Sequence, residues 1–100
     1  MIPIAQYPFE GPHRSVKKIE NSSGVLAVIC KESGKYYLLD VDHSEDVKQA
    51  ILDHERRECW ERYHRGTLQY AVLYERNFPE GDGEDIEKEI RRKYRSIPCP

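Results

Sequence analysis

The sequence predicts one small α/β domain, in which helices flank a sheet of three strands. Three observations predict this fold class. The chain has 100 residues, which is enough for one core and leaves little room for a second domain. Its apolar runs at 24–30 and 36–39 are continuous, as is typical of strands that are covered on both faces. After these runs, apolar residues recur at three- and four-residue spacing, which indicates helices that pack on the sheet.

The N-terminal residues 1–23 are predicted to form an irregular arm. Three prolines and a glycine surround Tyr7 and Phe9 in this segment. Proline and glycine interrupt helices and strands, whereas the two aromatic rings would pin the arm to the rest of the molecule. We therefore place the α/β domain at residues 24–97 and a short tail at 98–100.

The first two strands are predicted to form a β-hairpin. Gly24–Cys30 and Tyr36–Leu39 are rich in aliphatic and aromatic residues, and the short segment Lys31–Lys35 between them contains a glycine. A helix is predicted to begin soon after, because Asp42 and Ser44 are both of the residue types that cap a helix N-terminus.

The next segment is predicted to be a bent helix. Val47, Ile51 and His54 fall on one stripe at helical spacing. The stripe does not continue in phase, so we expect a bend or break around Glu55–Glu58 and a second short helix that carries Trp60 and Tyr63. Gly66 is suited to end that second helix.

A third strand and a final helix complete the predicted fold. Thr67–Tyr74 alternates its larger apolar residues, which is typical of a strand. The last helix is predicted to start at Asp82 or Gly83. Its acidic residues lie early and its basic residues late, which suits the helix dipole and needs no ligand to explain it. Its apolar residues are four positions apart: Ile86, Ile90 and Tyr94.

Composition limits the classes of partner. The formal net charge is -2, so any affinity for nucleic acid has to come from a local basic patch. The longest apolar run, Val25–Cys30, is far shorter than the roughly 20 residues that cross a bilayer, so we expect no membrane partner. The N-terminus has no basic leader with a long apolar segment, and we therefore expect a cytoplasmic protein.

The three cysteines are predicted to be reduced and unrelated thiols. Cys30, Cys59 and Cys99 are an odd number and show no CxxC spacing, which argues against a disulfide framework and against a thiolate zinc site. Cys30 ends an apolar run and is expected to be a small buried residue. Cys99 lies between two prolines, in a tail that we expect to be frayed.

Five local motifs follow one another along the chain. They are Gly24–Leu26, Gly34–Leu39, Val47–His54, Tyr63–Gly66 and Glu87. In this order they resemble the motifs of the GIY-YIG endonuclease domain, over a stretch from the first predicted strand to the last predicted helix. The resemblance implies a small α/β fold with a three-stranded sheet flanked by helices.

The same resemblance implies a set of active-site positions. In that family, hydrolysis of a nucleic-acid phosphodiester is assisted by a divalent cation. Tyr37 and His54 match two catalytic positions, and Glu87 matches the residue that holds the cation, which would be Mg²⁺ or Mn²⁺.

Three other positions depart from the family pattern. Leu26, Leu39 and Ala50 stand where the family has Tyr, Gly and Arg. A leucine cannot exchange a proton, and an alanine cannot pair with a phosphate oxygen. The resemblance therefore implies a catalytic constellation that has mostly decayed.

A basic segment interleaved with aromatic residues is the strongest local feature that fits nucleic-acid binding. An alternative is a solvated helix, in which Glu58 pairs with Arg62 and Glu61 with Arg65 while a tryptophan packs on the sheet. The candidate binding residues are Arg56, Arg57, Trp60, Arg62 and Arg65.

Two of the candidate active-site residues also have ordinary structural interpretations. Glu87 is spaced to pair with Arg91 on the surface of a helix, and His54 is placed to lie at the boundary of the core. These alternatives need neither a metal ion nor a substrate.

The hypothesis from sequence is a catalytically degenerate GIY-YIG-like domain, which is a non-enzymatic, nucleic-acid-associated or regulatory binding module. No cofactor is expected for it, and DNA or RNA is its expected partner. One alternative is a divergent endonuclease that depends on Mg²⁺ or Mn²⁺. A second alternative is a protein–protein interaction domain that uses a free sheet edge or the N-terminal arm.

Overall fold

The structure, a computed structural model, describes residues 1–53 and 56–100. Within these residues, five strands form one sheet in the order β1-β2-β5-β3-β4, and every neighbouring pair is antiparallel. The mixed α/β class is confirmed, whereas the expected three-stranded sheet is wrong. The elements are β1 (Ile2–Ile4), β2 (Tyr7–His13), β3 (Gly24–Glu32), β4 (Lys35–Ser44), α1 (Val47–Leu52), α2 (Arg57–Tyr63), β5 (Thr67–Tyr74) and α3 (Gly83–Lys93), with 3₁₀ turns at Val16–Lys18 and Glu75–Asn77.

The N-terminal arm supplies the two additional strands. β1 and β2 form a hairpin, and β2 pairs with β5 through Glu10 and His13. The prolines are accommodated because Pro3 lies opposite Pro8 in the outermost strand pair, where a missing backbone N–H costs least. Phe9 is fully buried. The aromatic ring therefore holds the arm in place as expected, but the prediction of little regular structure is wrong.

Both faces of the central strand β3 are covered. Leu26 and Val28 pack on one face with α1 and with Trp60 of α2. Val25 and Ala27 pack on the other face with the apolar side of α3. The coverage that the continuous apolar runs predict is thus confirmed, and the helices lie on opposite faces of the sheet.

Acidic residues cap two of the helices. The Asp46 side chain accepts a hydrogen bond from the Gln49 backbone N–H at the start of α1, and Asp82 does the same for Asp85 at the start of α3. The predicted start of α3 is confirmed. α1 begins later than predicted, because β4 continues through Ser44 and so delays the helix.

The third predicted strand and the separate short helix before it are confirmed as β5 and α2. The predicted break around residues 55–58 begins at position 55, which lies outside the described residues; among the described ones, α1 ends at Leu52 and α2 begins at Arg57. Gly66 has a φ of +66°, but it lies beyond the end of α2 rather than capping it. It is needed there because a Cβ would come within 2.1 Å of the Lys31 carbonyl oxygen.

The cysteine prediction is wrong. Cys59 of α2 and Cys99 form a disulfide, with their Cα atoms 5.9 Å apart. Cys99 is fully buried, and its backbone N–H donates to the Leu39 carbonyl oxygen at 3.0 Å. The end of the chain is therefore tied down by a partner 40 positions away, a separation that no local spacing rule covers. Cys30 is a buried free thiol, as expected.

Among the described residues, no helix is long and apolar enough to cross a bilayer.

Candidate functional site

A buried carboxylate lies at the edge strand of the sheet. The Asp40 side chain, in the middle of β4, is only 2% exposed. Its Oδ1 accepts hydrogen bonds from Arg56 Nη1 and Arg91 Nη2, each at 2.8 Å. Its Oδ2 accepts a hydrogen bond from Trp60 Nε1, also at 2.8 Å. The negative charge is thus paired with two cations and hydrogen-bonded at both oxygens, as burial of a carboxylate requires.

Arg91 extends this network to the C-terminus. Its guanidinium donates to the backbone carbonyl oxygens of Val41 and Cys99 and to the carboxylate of Glu87. α3 therefore contacts β4, the tail and Asp40 through one side chain. α2 covers one face of the sheet and α3 covers the other, and a side chain from each helix reaches Asp40 at this edge strand.

A cavity of about 260 Å³ opens beside this network. Leu26 and Ala50 both line it, so the two positions that lack the family's Tyr and Arg share one site. Three aspartates, Asp40, Asp42 and Asp53, also line the cavity, together with Arg56 and Trp60. Burial raises the pKa of Asp42. Asp40 is paired with Arg56 and Arg91, whereas Asp42 and Asp53 form no ion pair among the described residues, so the cavity keeps a negative charge that disfavours a phosphate group.

Glu87 lies next to that cavity and is held by two neighbours. Its carboxylate accepts the His43 backbone N–H at 3.2 Å, and it contacts His43 Nδ1 at 2.6 Å and Arg91 Nε at 3.1 Å. Although burial acts in the opposite direction, hydrogen bonds from His43 and Arg91 hold the pKa of Glu87 below its usual value. The hydrogen bond between the His43 and Glu87 side chains raises the pKa of His43.

A divalent cation has a candidate position here. Asp42, His43 and Glu87 each offer one ligand atom, and these atoms lie within 4.8 Å of one another. A mixed set of carboxylate and imidazole ligands suits Mn²⁺ or a similar transition metal. The pairing of Glu87 with Arg91, which was the alternative interpretation, is also present in the structure.

The structure separates the remaining predicted site residues. Tyr37 is 42% exposed and does not line the cavity of Leu26 and Ala50. His54 lies outside the described residues. Trp60 is 3% exposed, so its ring is packed in the core rather than offered to a base. Arg56 is paired with Asp40.

The other predicted basic residues are exposed. Arg57 lies at the start of α2, whereas Arg62 and Arg65 lie near its end. Within the part of the chain that the structure describes, neither Glu58 nor Glu61 forms an ion pair. The salt-bridged helix surface that was the alternative does not form there.

A second concave surface lies at the N-terminal end of β4, and the sequence did not predict it. It consists of two adjoining depressions of about 370 and 320 Å³, which share Tyr37, Leu38 and Ser96. Arg65 is the one charged residue among the described residues that line it. We call this surface the tyrosine groove, after four residues that are each about 40% exposed: Tyr36, Tyr37, Tyr63 and Tyr94.

The sequence carried only a weak signal for this groove. Seven tyrosines in 100 residues is a high count, but the four in the groove lie on β4, on α2 and just after α3, and they share no periodicity. Only the pairing of the strands and the folded-back tail bring them to the β4 edge of the sheet.

Comparison with protein-family models, with curated proteins and with solved structures gave no match to this chain.

The first prediction concerns the buried charge. Asp40→Asn should lower the free energy of unfolding by about 3 kcal/mol, because it leaves two arginines without their shared counter-charge. Equilibrium urea unfolding measures this change. The matched control is Glu20→Gln, which breaks the exposed Glu20–Arg76 pair and should change the midpoint far less. Equal effects of the two substitutions would contradict the role given to Asp40.

The second prediction concerns pH. Folding raises the pKa of His43 above 6.5, the ordinary value of the imidazole. On the basic side, the stabilisation from its contact with Glu87 is therefore complete up to about pH 6.5 and is lost as the pH rises through the raised pKa. On the acid side it is lost as the pH falls below 4.5, through the lowered pKa of Glu87. Glu87→Gln should lower the pKa of His43, as measured by NMR titration of the imidazole, whereas Glu61→Gln should leave it unchanged. An unchanged His43 pKa in Glu87→Gln would refute the assignment.

Proposed function

We propose that this chain is a non-enzymatic module that binds single-stranded nucleic acid in the tyrosine groove. The observation that carries the proposal is the composition of that groove. Among the described residues, six large apolar side chains are exposed, and four of them are the tyrosines that line it. None of the described lining residues is acidic.

Exposed aromatic rings and cations are the elements that bind single strands without reading their sequence. Bases stack on the rings, and cations neutralise the phosphates. Arg65 lines the groove beside Tyr63. The Lys31 ammonium lies 5.3 Å from the centre of the Tyr36 ring, so a second cation borders the groove. A basic run that includes Lys93 and Arg95 flanks Tyr94 in the sequence.

The composition of the other cavity supports binding without hydrolysis. Leu26 and Ala50 supply neither a proton nor a phosphate contact, and three aspartates share their cavity. A phosphodiester is disfavoured at this position, whereas the one charged residue among the described residues that line the tyrosine groove is Arg65. A strand bound in the groove therefore needs no catalytic residue.

The affinity for nucleic acid depends on positive charge that lies at the groove. The whole chain is slightly acidic, so attraction to phosphate is limited to the groove and its borders. Binding should therefore weaken as salt rises, because each neutralised phosphate releases condensed counter-ions.

The third prediction tests the groove directly. Tyr37→Ala and Tyr63→Ala should each weaken binding of a fluorescent single-stranded oligonucleotide by about tenfold, which is within the range for loss of one stacking contact. Fluorescence anisotropy measures the affinity. Leu52→Ala removes an exposed apolar side chain outside the groove and serves as the matched control. If the tyrosine variants bind as tightly as Leu52→Ala, the groove is not the site.

The same anisotropy assay distinguishes the contribution of Arg65 to binding from that of Arg57. Arg65→Ala should lower the slope of log affinity against log salt by about 0.7, which is the share of one phosphate contact on a single strand. Arg57→Ala, which removes an exposed arginine from the other end of α2, should leave the slope unchanged. Equal changes in both variants would point to a diffuse interface along α2.

A metal-dependent endonuclease is the second candidate function. The observation that favours it is the convergence of Asp42, His43 and Glu87. A cation held there would act as a Lewis acid on a phosphodiester, while the tyrosine groove would hold the strand.

The fourth prediction distinguishes the two functions. With Mn²⁺, single-stranded and duplex DNA and RNA should stay intact on a denaturing gel, because the positions of Leu26 and Ala50 supply no catalytic groups. Cleavage that is lost in Glu87→Gln but retained in Glu84→Gln, an exposed acid on the same helix, would contradict the proposal and support the nuclease. Absence of both cleavage and binding would leave a protein partner as the remaining hypothesis.

A further inference from the structure

We infer that the Cys59–Cys99 disulfide keeps the tyrosine groove in its binding form, and that its reduction by a dithiol weakens nucleic-acid binding. This inference rests on the proposed function and adds its regulation. The disulfide joins α2, which carries Tyr63, to the C-terminal residues, and both of these parts line the groove.

The end of the chain forms one wall of the groove. Ser96 lines both depressions, Ile97 lines one and Pro98 lines the other. These residues follow α3, which ends at Lys93, so no regular element holds them. The shape of the groove therefore depends on what fixes the last residues of the chain.

Cys99 fixes them. Its sulfur is bonded to Cys59, its backbone N–H donates to the Leu39 carbonyl oxygen at 3.0 Å, and its own carbonyl oxygen accepts from Arg91 Nη1 at 2.9 Å. Before Cys99, the Ile97 N–H makes only a long bond of 3.4 Å to the Tyr94 carbonyl oxygen. The disulfide is the covalent part of this attachment.

The other end of the disulfide lies behind the opposite wall. Cys59 precedes Tyr63 by one helical turn on α2, so the two side chains lie on the same side of that helix. Tyr63 and Arg65 line the same depression as Pro98. One bond thus joins both walls of this half of the groove, and it pre-organises the surface on which a base would stack.

A reductant can reach the bond from the side of Cys59, which is partly exposed, whereas Cys99 is fully buried. A thiolate of the dithiol attacks Cys59 Sγ, forms a mixed disulfide and displaces the Cys99 thiolate, which takes up a proton. The second thiol of the dithiol then displaces Cys59 as a thiol. The dithiol is oxidised to its disulfide, and two electrons and two protons pass to the cysteines.

Reduction leaves the tail held by the two hydrogen bonds at Cys99 and by the packing of Cys99 and Ile97 against the core, without a covalent link. The segment 96–98 would then move more freely, and the half of the groove that contains Tyr63 would lose its fixed wall. We expect the affinity for a single-stranded oligonucleotide to fall by about tenfold, which is the size of one lost stacking contact.

The experiment uses the full chain in oxidised and dithiothreitol-reduced forms, with fluorescent oligo(dT) as the probe. Thiol counting under denaturing conditions should give one free thiol before reduction and three after it, from the three cysteines of the chain. Anisotropy should show about tenfold tighter binding by the oxidised form. Cys59→Ser should bind like the reduced protein with or without dithiothreitol, which also excludes an effect of the reductant on anything other than the disulfide.

A second readout follows the tail itself and does not depend on binding. Trypsin cleaves after Arg95, and mass spectrometry after a final reduction step reports the rate of that cut. The rate should rise on reduction of the native chain and should be high at all times in Cys59→Ser and in Cys99→Ser. Circular dichroism checks that each variant is folded, and either variant alone suffices for the comparison.

The outcomes separate this inference from the proposed function. Binding that is equal in both redox forms would overturn the inference and leave the function standing. An unchanged tryptic rate would also overturn it, because the tail would then be held without the disulfide. Absence of binding in both forms would overturn the proposed function and, with it, the regulation inferred here.

Discussion

The negative charge of Asp40, buried on the edge strand of the sheet, is the constraint on which the rest of the structure depends. A carboxylate in that position is tolerated only when donors converge on it, and two arginines and the Trp60 indole do so. They come from α3, from α2 and from the residue just before α2. Because these helices cover opposite faces of the sheet, their meeting at Asp40 fixes both of them relative to β4, and Arg91 then ties the C-terminal residues to the same point.

This arrangement divides the charges of the molecule between two concave surfaces. Leu26 and Ala50 share a cavity with Asp42 and Asp53, which form no ion pair among the described residues, so this cavity is unfavourable for phosphate. The tyrosine groove, at the other end of β4, has exposed rings and positive charge. A chain that is acidic overall can thus still present a surface that suits a polyanion, because Arg56 and Arg91 are paired with Asp40, whereas Arg65 forms no ion pair with any described residue.

The local elements could be predicted from the sequence, whereas the features that define the site could not. The alternation in β5 and the four-residue spacing in α3 are properties of neighbouring residues, so periodicity reveals them. The strand character of the arm was missed because Pro3 and Pro8 argue against strands unless they face each other at a sheet edge. The disulfide and the groove depend on contacts between Cys59, Tyr63 and the tail that only the folded sheet creates. Asp40 directly follows an apolar run in the sequence, and no spacing rule relates it to Arg56 and Arg91.

The measurement that tests the central claim most directly is NMR mapping of a single-stranded oligonucleotide on the isotope-labelled, oxidised chain. The amide signals of Tyr37, Tyr63 and Ser96 should shift as the oligonucleotide is added, while those of Leu26, Ala50 and Asp42 stay in place. These two sets lie on the two concave surfaces, so one titration compares them within the same molecule. Shifts confined to Leu26, Ala50 and Asp42, or no shifts at all, would contradict the account.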